Sequence, residues 1–181
     1  MDRIIQADLY RYGGLSGRKG LIHGLKIPGF RYTYLLRKAS KCNQSSVSGL
    51  IYRFLLKRYK YKYGFQIPVS TDIGEGLFIG HFGTIVINAK AKIGKNCNIS
   101  HGVTIGQANK GKLKGYPTIG NQVWMGSGSV IVGNINIGSN VLIAPNSFVN
   151  FDVPDNSLVL GNPAKIIRKD DATDGYINNV L

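Results

Sequence analysis

The chain contains three histidines, and two of them, His81 and His101, stand twenty residues apart in similar settings, Ile79-Gly80-His81 and Ile99-Ser100-His101. Imidazole changes charge between about pH 5 and 8, so a histidine beside a hydroxyl can take its proton and return it to a leaving group. The third, His23, lies in a basic stretch and carries no such pattern. Whether His81 and His101 act together depends on the elements that hold them.

Those elements are written in a period of six. An aliphatic residue recurs as Ile67, Ile73, Ile79, Ile85, then Ile93, Ile99, Ile105, then Ile119, Met125, Ile131, Ile137, Ile143 and Val149. A helix repeats at about 3.6 and an alternating strand at 2, so a sustained six predicts a solenoid of very short strands. Gly, Ala or Ser follows most of the series, as in Ile73-Gly74, Met125-Gly126 and Ile143-Ala144. Four places on comes a second inward position, occupied by Cys97, Val103, Val123, Ser129, Ile135, Val141 and Ser147. Three hexads close a turn of about eighteen residues, and stacked turns bury what one turn cannot. The twenty-residue interval is then one turn plus two extra residues, which sets both histidines on the same side of adjacent coils, pointing outward.

The register slips twice. Ile85 to Ile93 spans eight residues and Ile105 to Ile119 fourteen. Insertions in a solenoid leave the core as loops, often on the functional face. The longer one, at 106–118, is polar and basic, with Lys110 and Lys112 available to phosphates. Its string Gly106-Gln107-Ala108-Asn109-Lys110-Gly111-Lys112-Leu113 approaches a nucleotide phosphate loop but has Leu113 where Ser or Thr must meet magnesium, which excludes a nucleotide triphosphatase.

Charge is unevenly placed. Residues 1–64 carry 14 Lys or Arg against 2 Asp, a net of +12, whereas residues 65–181 carry 9 basic and 7 acidic, a net of +2. We therefore divide the chain into a basic helical segment at 1–64, a solenoid at 65–169 and an acidic, frayed tail at 170–181. Pro28-Gly29 and Asn43-Gln44-Ser45-Ser46 break the leader into two or three helices. Tyr52, Leu55, Leu56, Tyr59 and Tyr63 recur at helical spacing among Arg53, Lys57, Lys60 and Lys62. The leader is expected to cap the open first coil, whose edges would otherwise pair with other chains. Its basic, tyrosine-rich face also suits peripheral contact with anionic lipid. No nucleic-acid motif accompanies the charge. Cys42 and Cys97 form no disulfide or metal-ligand pattern, no signal peptide or membrane span is evident, and a cytoplasmic location, at most on the inner face of the membrane, follows as the expectation.

These motifs resemble the hexapeptide-repeat acyltransferases, which fold as left-handed parallel β-helices. The resemblance runs over about 64–169, through Gly64-Phe65-Gln66-Ile67, Ile79-Gly80-His81-Phe82-Gly83-Thr84-Ile85, Ile99-Ser100-His101-Gly102-Val103-Thr104-Ile105-Gly106 and Gly161-Asn162-Pro163-Ala164-Lys165. It is nearest the serine acetyltransferase branch and its shorter relatives that O-acetylate bacterial capsule, O-antigen and exopolysaccharide sugars.

The resemblance implies a mainly β protein, a homotrimer and acetyl-CoA as co-substrate. It implies His81 as general base, with His101 orienting the acceptor or serving as alternate base. It places the pantetheine arm along Gly106, Gly126, Ser127, Ala144 and Pro145, and the CoA phosphates near Lys110, Lys112, Lys165 and Arg168. Three family features are missing: Gln66 stands for the carboxylate that pairs with the base, Gly80 for the acid that holds the serine amine, and Gly115-Tyr116 for the pair that holds its carboxylate. On that ground the acceptor is expected to be a sugar hydroxyl of a surface polysaccharide or its precursor, with Gln66 and Tyr116 at the acceptor. L-serine acetylation is the alternative enzyme, and a membrane- or polysaccharide-binding scaffold the non-enzymatic one. A carbonic anhydrase of the same solenoid type would need a third histidine ligand, so no metal is expected.

Overall fold

The structure is a computed structural model that describes residues 2–180. Four helices lead into it: α1 (Arg3–Tyr10), α2 (Gly17–Gly24), α3 (Pro28–Lys41) and α4 (Val47–Tyr63). Pro28 opens α3 at its first turn, where a missing N–H costs nothing, instead of ending an element. Ser46 caps α4 by accepting from Gly49 N–H at 3.1 Å, and Gly64 closes it in the left-handed conformation.

Strands then follow coil by coil. The first coil holds β1 (Phe65–Gln66), β2 (Asp72–Ile73) and β3 (Phe78–Ile79), and the second β4 (Ile85–Ile87), β5 (Lys92–Ile93) and β6 (Asn98–Ile99). The third has β7 (Thr104–Gly106), β8 (Thr118–Ile119) and β9 (Val123–Met125), and the fourth β10 (Val130–Val132), β11 (Asn136–Ile137) and β12 (Val141–Ile143). β13 (Phe148–Val149) starts the last coil, and the antiparallel pair β14 (Ser157–Gly161) and β15 (Ala164–Arg168) ends it. Stacking makes three parallel faces: β1-β4-β7-β10-β13, β2-β5-β8-β11, and β3-β6-β9-β12-β14 with β15 at its edge. The fold is a parallel β-solenoid.

All thirteen members of the six-residue series are buried, as are the seven residues of the second inward column. The register corrects one reading. Ile87, not Ile85, stacks with Ile105, Ile131 and Val149; Ile85 pairs with Phe65 and belongs to the column of Val103 and Ser129. The first two-residue insertion therefore falls between Ile79 and Ile87, around His81 itself. Corners repeat a feature absent from the periodic pattern: the third residue after the aliphatic is left-handed, as Gly76, Asn96, Gly102, Gln122, Gly128, Asn140 and Asn146.

The leader closes the first coil with side chains. Arg37 donates to the carbonyls of Ile73 and Gly74, both at 2.6 Å, and Arg11 to Gly76 at 2.7 Å. Leu77 N–H donates to Asp8 Oδ1 at 2.9 Å, and Ile79 N–H to the Tyr12 hydroxyl at 3.1 Å. Tyr32 Oη donates to the Phe65 carbonyl at 3.1 Å. Buried strand-edge groups need such partners, since each one left unmade costs about 1–3 kcal/mol. Gly29 brings α3 against β3, because a Cβ there would stand 1.9 Å from the Ile79 carbonyl oxygen.

Candidate active site

β3 and β6 pair with Ile79 opposite Ile99, so His81 and His101, each two residues further on, leave the sheet at the same corner. Their rings are 6.0 Å apart between centroids and cross at 88°. Both are exposed. The insertion passes directly over the second ring's base: Gly83 lies at φ 139°, and a Cβ on it would be 3.0 Å from His101 Cβ. Ser127, on the third coil, places its Oγ 3.5 Å from His101 Nδ1, at the outer limit of a hydrogen bond.

His81 stands in a cleft of about 350 Å³ with Phe78, Gly80, Asn98, Ile99, Ser100 and Trp124. Among the described residues, no carboxylate, lysine or arginine lines it. Phe78, Asn98 and Trp124 share one register position, the place immediately before the inward aliphatics of three stacked coils, and face outward together. Sequence reasoning missed all three; the signal was there, since the residue before each inward aliphatic must point out beside the histidine corner. The walls are fixed from two sides. Arg11 donates to Asn98 Oδ1 at 2.6 Å and Tyr12 packs on Phe78 with centroids 4.6 Å apart. From the other end of the chain, the Tyr176 carbonyl accepts from Asn98 Nδ2 at 2.9 Å, and its ring lies 5.0 Å from that of Trp124.

The segment after Lys169 is thus not frayed. Ala172 and Thr173 are buried, and Thr173 Oγ1 donates to Asn140 Oδ1 at 2.7 Å. Its composition concealed this, because its backbone is held by Asn98, Asn140 and Arg11, not by an apolar stripe.

The remaining candidates divide between two corners. Ser127 stands by His101, and Gly126 underlies Pro145, where a Cβ would meet Pro145 N at 2.6 Å, so Gly126, Ala144 and Pro145 continue the histidine corner up the stack. Gly106 ends β7, and the loop with Lys110 and Lys112 leaves there, a strand length beyond His101. The two insertions consequently occupy opposite edges of one face, not the same edge. Tyr116 sits under Lys90 Nζ at 5.2 Å, and Gln66 lies exposed in β1. Neither lines the His81 cleft. Lys165 and Arg168 are exposed on β15, with Arg168 facing Asp170 at 3.7 Å. Among the described residues no group of three His, Cys, Asp or Glu could hold a metal ion, and no helix is long and apolar enough to cross a membrane.

The shifted groups lie at the seam with the leader and in the solenoid core. Burial pushes the Asp8 carboxyl up, while the Arg37 guanidinium at 2.9 Å pulls it down. Burial also lowers Arg11 and raises the Cys97 thiol to about 12.

A parallel solenoid of hexads with an imidazole at the same corner of two successive coils defines a hexapeptide-repeat acyltransferase. No family model matches the chain. It is 40% identical over 120 residues to the serine acetyltransferase of Helicobacter pylori, a match covering 66% of this chain and 70% of the relative. The solved serine acetyltransferase of Neisseria gonorrhoeae superposes with a TM-score of 0.74 at 32% identity, over 93% of this chain and 66% of that one. That of Brucella abortus in complex with coenzyme A gives 0.75 at 28% identity, over 92% and 67%. The chain belongs to the serine acetyltransferase family of acetyl-CoA-dependent O-acetyltransferases, and spans about two thirds of the length of these solved relatives.

Proposed function

We propose that the chain transfers the acetyl group of acetyl-CoA to the hydroxyl of L-serine, with His81 as general base. The observation that carries the reaction is His81, beside His101, opening on a cleft of about 350 Å³. The acceptor rests on the relatives, which are serine acetyltransferases; the sugar acceptor expected from the missing charged anchors has no counterpart among them. His81 takes the hydroxyl proton as oxygen attacks the thioester carbonyl. The tetrahedral intermediate then collapses, the C–S bond breaks, and the imidazolium returns the proton to the departing thiolate. His101, its ring across from His81, orients the acceptor. Gly106, Gly126, Ser127, Ala144 and Pro145 would accept the pantetheine arm, with Lys110, Lys112, Lys165 and Arg168 toward the phosphates. Because the loop and the histidines occupy opposite edges of one face, a site using both takes the loop from a neighbouring copy, which agrees with the expected homotrimer.

A saccharide hydroxyl is the second reading, favoured by one feature: the cleft has aromatic walls and, among the described residues, offers no ion to a serine ammonium or carboxylate. CoA release from acetyl-CoA with L-serine and with a saccharide panel separates the two. Serine-dependent release supports the first, and saccharide-dependent release without serine turnover replaces it. His81→Ala should lower either rate by about 10²–10⁴-fold, and an unchanged rate removes His81 as base.

A further inference from the structure

Helix α4 is apolar on two opposite sides, and the fold covers one of them. Leu56 and Tyr63 are buried against the first coil. Val47, Leu50, Ile51, Phe54 and Tyr61 project from the other side, at 76%, 59%, 52%, 69% and 72% exposure, spaced as successive turns of one helix face. Val47, Leu50, Ile51 and Phe54 form a contiguous exposed apolar patch, which Arg58 separates from Tyr61, and such a patch marks an interaction surface.

The chemistry around it selects the partner. Lys57, Arg58 and Lys62 are exposed along the same helix, and the sequence has no Asp or Glu between Asp8 and Asp72. Beside the stripe, Arg53, Lys57, Lys60 and Tyr61 line a pocket of about 310 Å³ with Pro68 and Val69. Arg53 Nε is buried there with no hydrogen-bond partner. Its Nη2 donates to the Ala39 carbonyl at 3.1 Å, and its charge beside those of Lys57 and Lys60 makes the pocket favour an anion.

We propose that this face of α4 docks on the surface of an anionic phospholipid bilayer. Phe54, Ile51, Leu50 and Val47 enter the boundary between headgroups and acyl chains, the lysines meet the surrounding phosphates, and the Arg53 pocket receives one of them. Other partners satisfy only half of the surface. A second copy offers the same cations and sets like charges against each other, whereas an acidic polymer matches the cations and leaves the stripe in water. The helix lies along the membrane and does not cross it, since no described helix is long and apolar enough to do so. The proposal is independent of the acceptor.

The test is co-sedimentation of the full chain with vesicles of phosphatidylcholine alone and of phosphatidylcholine mixed with phosphatidylglycerol. Binding should be at least about tenfold tighter to the mixed vesicles and should weaken as salt rises. Ile51→Glu with Phe54→Glu should reduce it at least about tenfold while the melting temperature stays within a few degrees. Lys57→Gln should cost roughly fivefold, the effect of one cation near an anionic surface. No binding to mixed vesicles overturns the proposal. So does undiminished binding of the double glutamate variant together with retention on an acidic polysaccharide, which assigns the surface to a polyanion. A fall in assembly mass of that variant by sedimentation equilibrium also overturns it, and assigns the stripe to a second copy.

Discussion

The seam between leader and solenoid and the interior of the solenoid are both buried, yet they are built from opposite materials. Inside, thirteen aliphatics and a second column of small or apolar residues repeat coil after coil, with backbone bonds running from one coil to the next. At the seam there is no next coil, and Asp8, Arg11, Tyr12, Tyr32 and Arg37 supply by side chain what a strand would supply by backbone. A repeating interior distributes its stability. A one-off seam concentrates it.

The largest effect should follow from breaking that concentration. Asp8→Asn keeps an acceptor for Leu77 N–H but leaves the Arg37 guanidinium buried without its carboxylate, and removing one partner of a buried pair costs about 3–5 kcal/mol. For a chain of this length the melting temperature should fall by roughly 8–15 °C. Arg37→Met added to Asp8→Asn should recover only part of it, because Arg37 also satisfies the Ile73 and Gly74 carbonyls. A loss below about 1 kcal/mol for the single variant would mean that apolar packing, not the pair, holds the leader.

The interior should respond with smaller and nearly equal losses wherever it is trimmed. Ile99→Val, Ile105→Val and Ile131→Val each remove one methylene from a fully enclosed position in a middle coil, costing about 1 kcal/mol. Chemical denaturation of the three variants checks this. Values scattered as widely as at the seam would deny the repeat its even share.

The contrast also explains what could be read in advance. The period of six identified the solenoid and its inward columns because every coil obeys the same geometry. The twenty-residue interval placed His81 beside His101 because an insertion of two shifts all that follows by two. Where that insertion lay was misread, since Ile85 and Ile87 are both isoleucines and both inward, and only the pairing of Ile87 with Ile105 decides between them. The seam was not legible: Asp8 and Arg37 lie 29 residues apart and follow no period. Nor was the cleft's far wall, since Tyr176 reaches Asn98 and Trp124 from near the chain's end.

The smallest effect distinguishes the two regions by their thiols. Cys42 follows α3 at half-buried exposure, whereas Cys97 occupies the inward small-residue column of the second coil and is completely enclosed. Burial disfavours the thiolate, which pushes Cys97 up to about 12 from an ordinary value of 9.0. A neutral acid whose folded pKa is raised binds more protons folded than unfolded between those two values. Its stabilising contribution is therefore complete below the ordinary value and is lost as pH rises toward the folded one. Buried Tyr32, raised to about 12 from 10.0, acts in the same direction. The denaturation midpoint should hold up to about pH 9 and decline above it, and Cys97→Ala should make that decline shallower. At pH 8 an aromatic disulfide reagent should label Cys42 readily and Cys97 only as fast as the solenoid opens. Equal labelling of both thiols in the native state would mean that the second coil is looser than its enclosed columns imply.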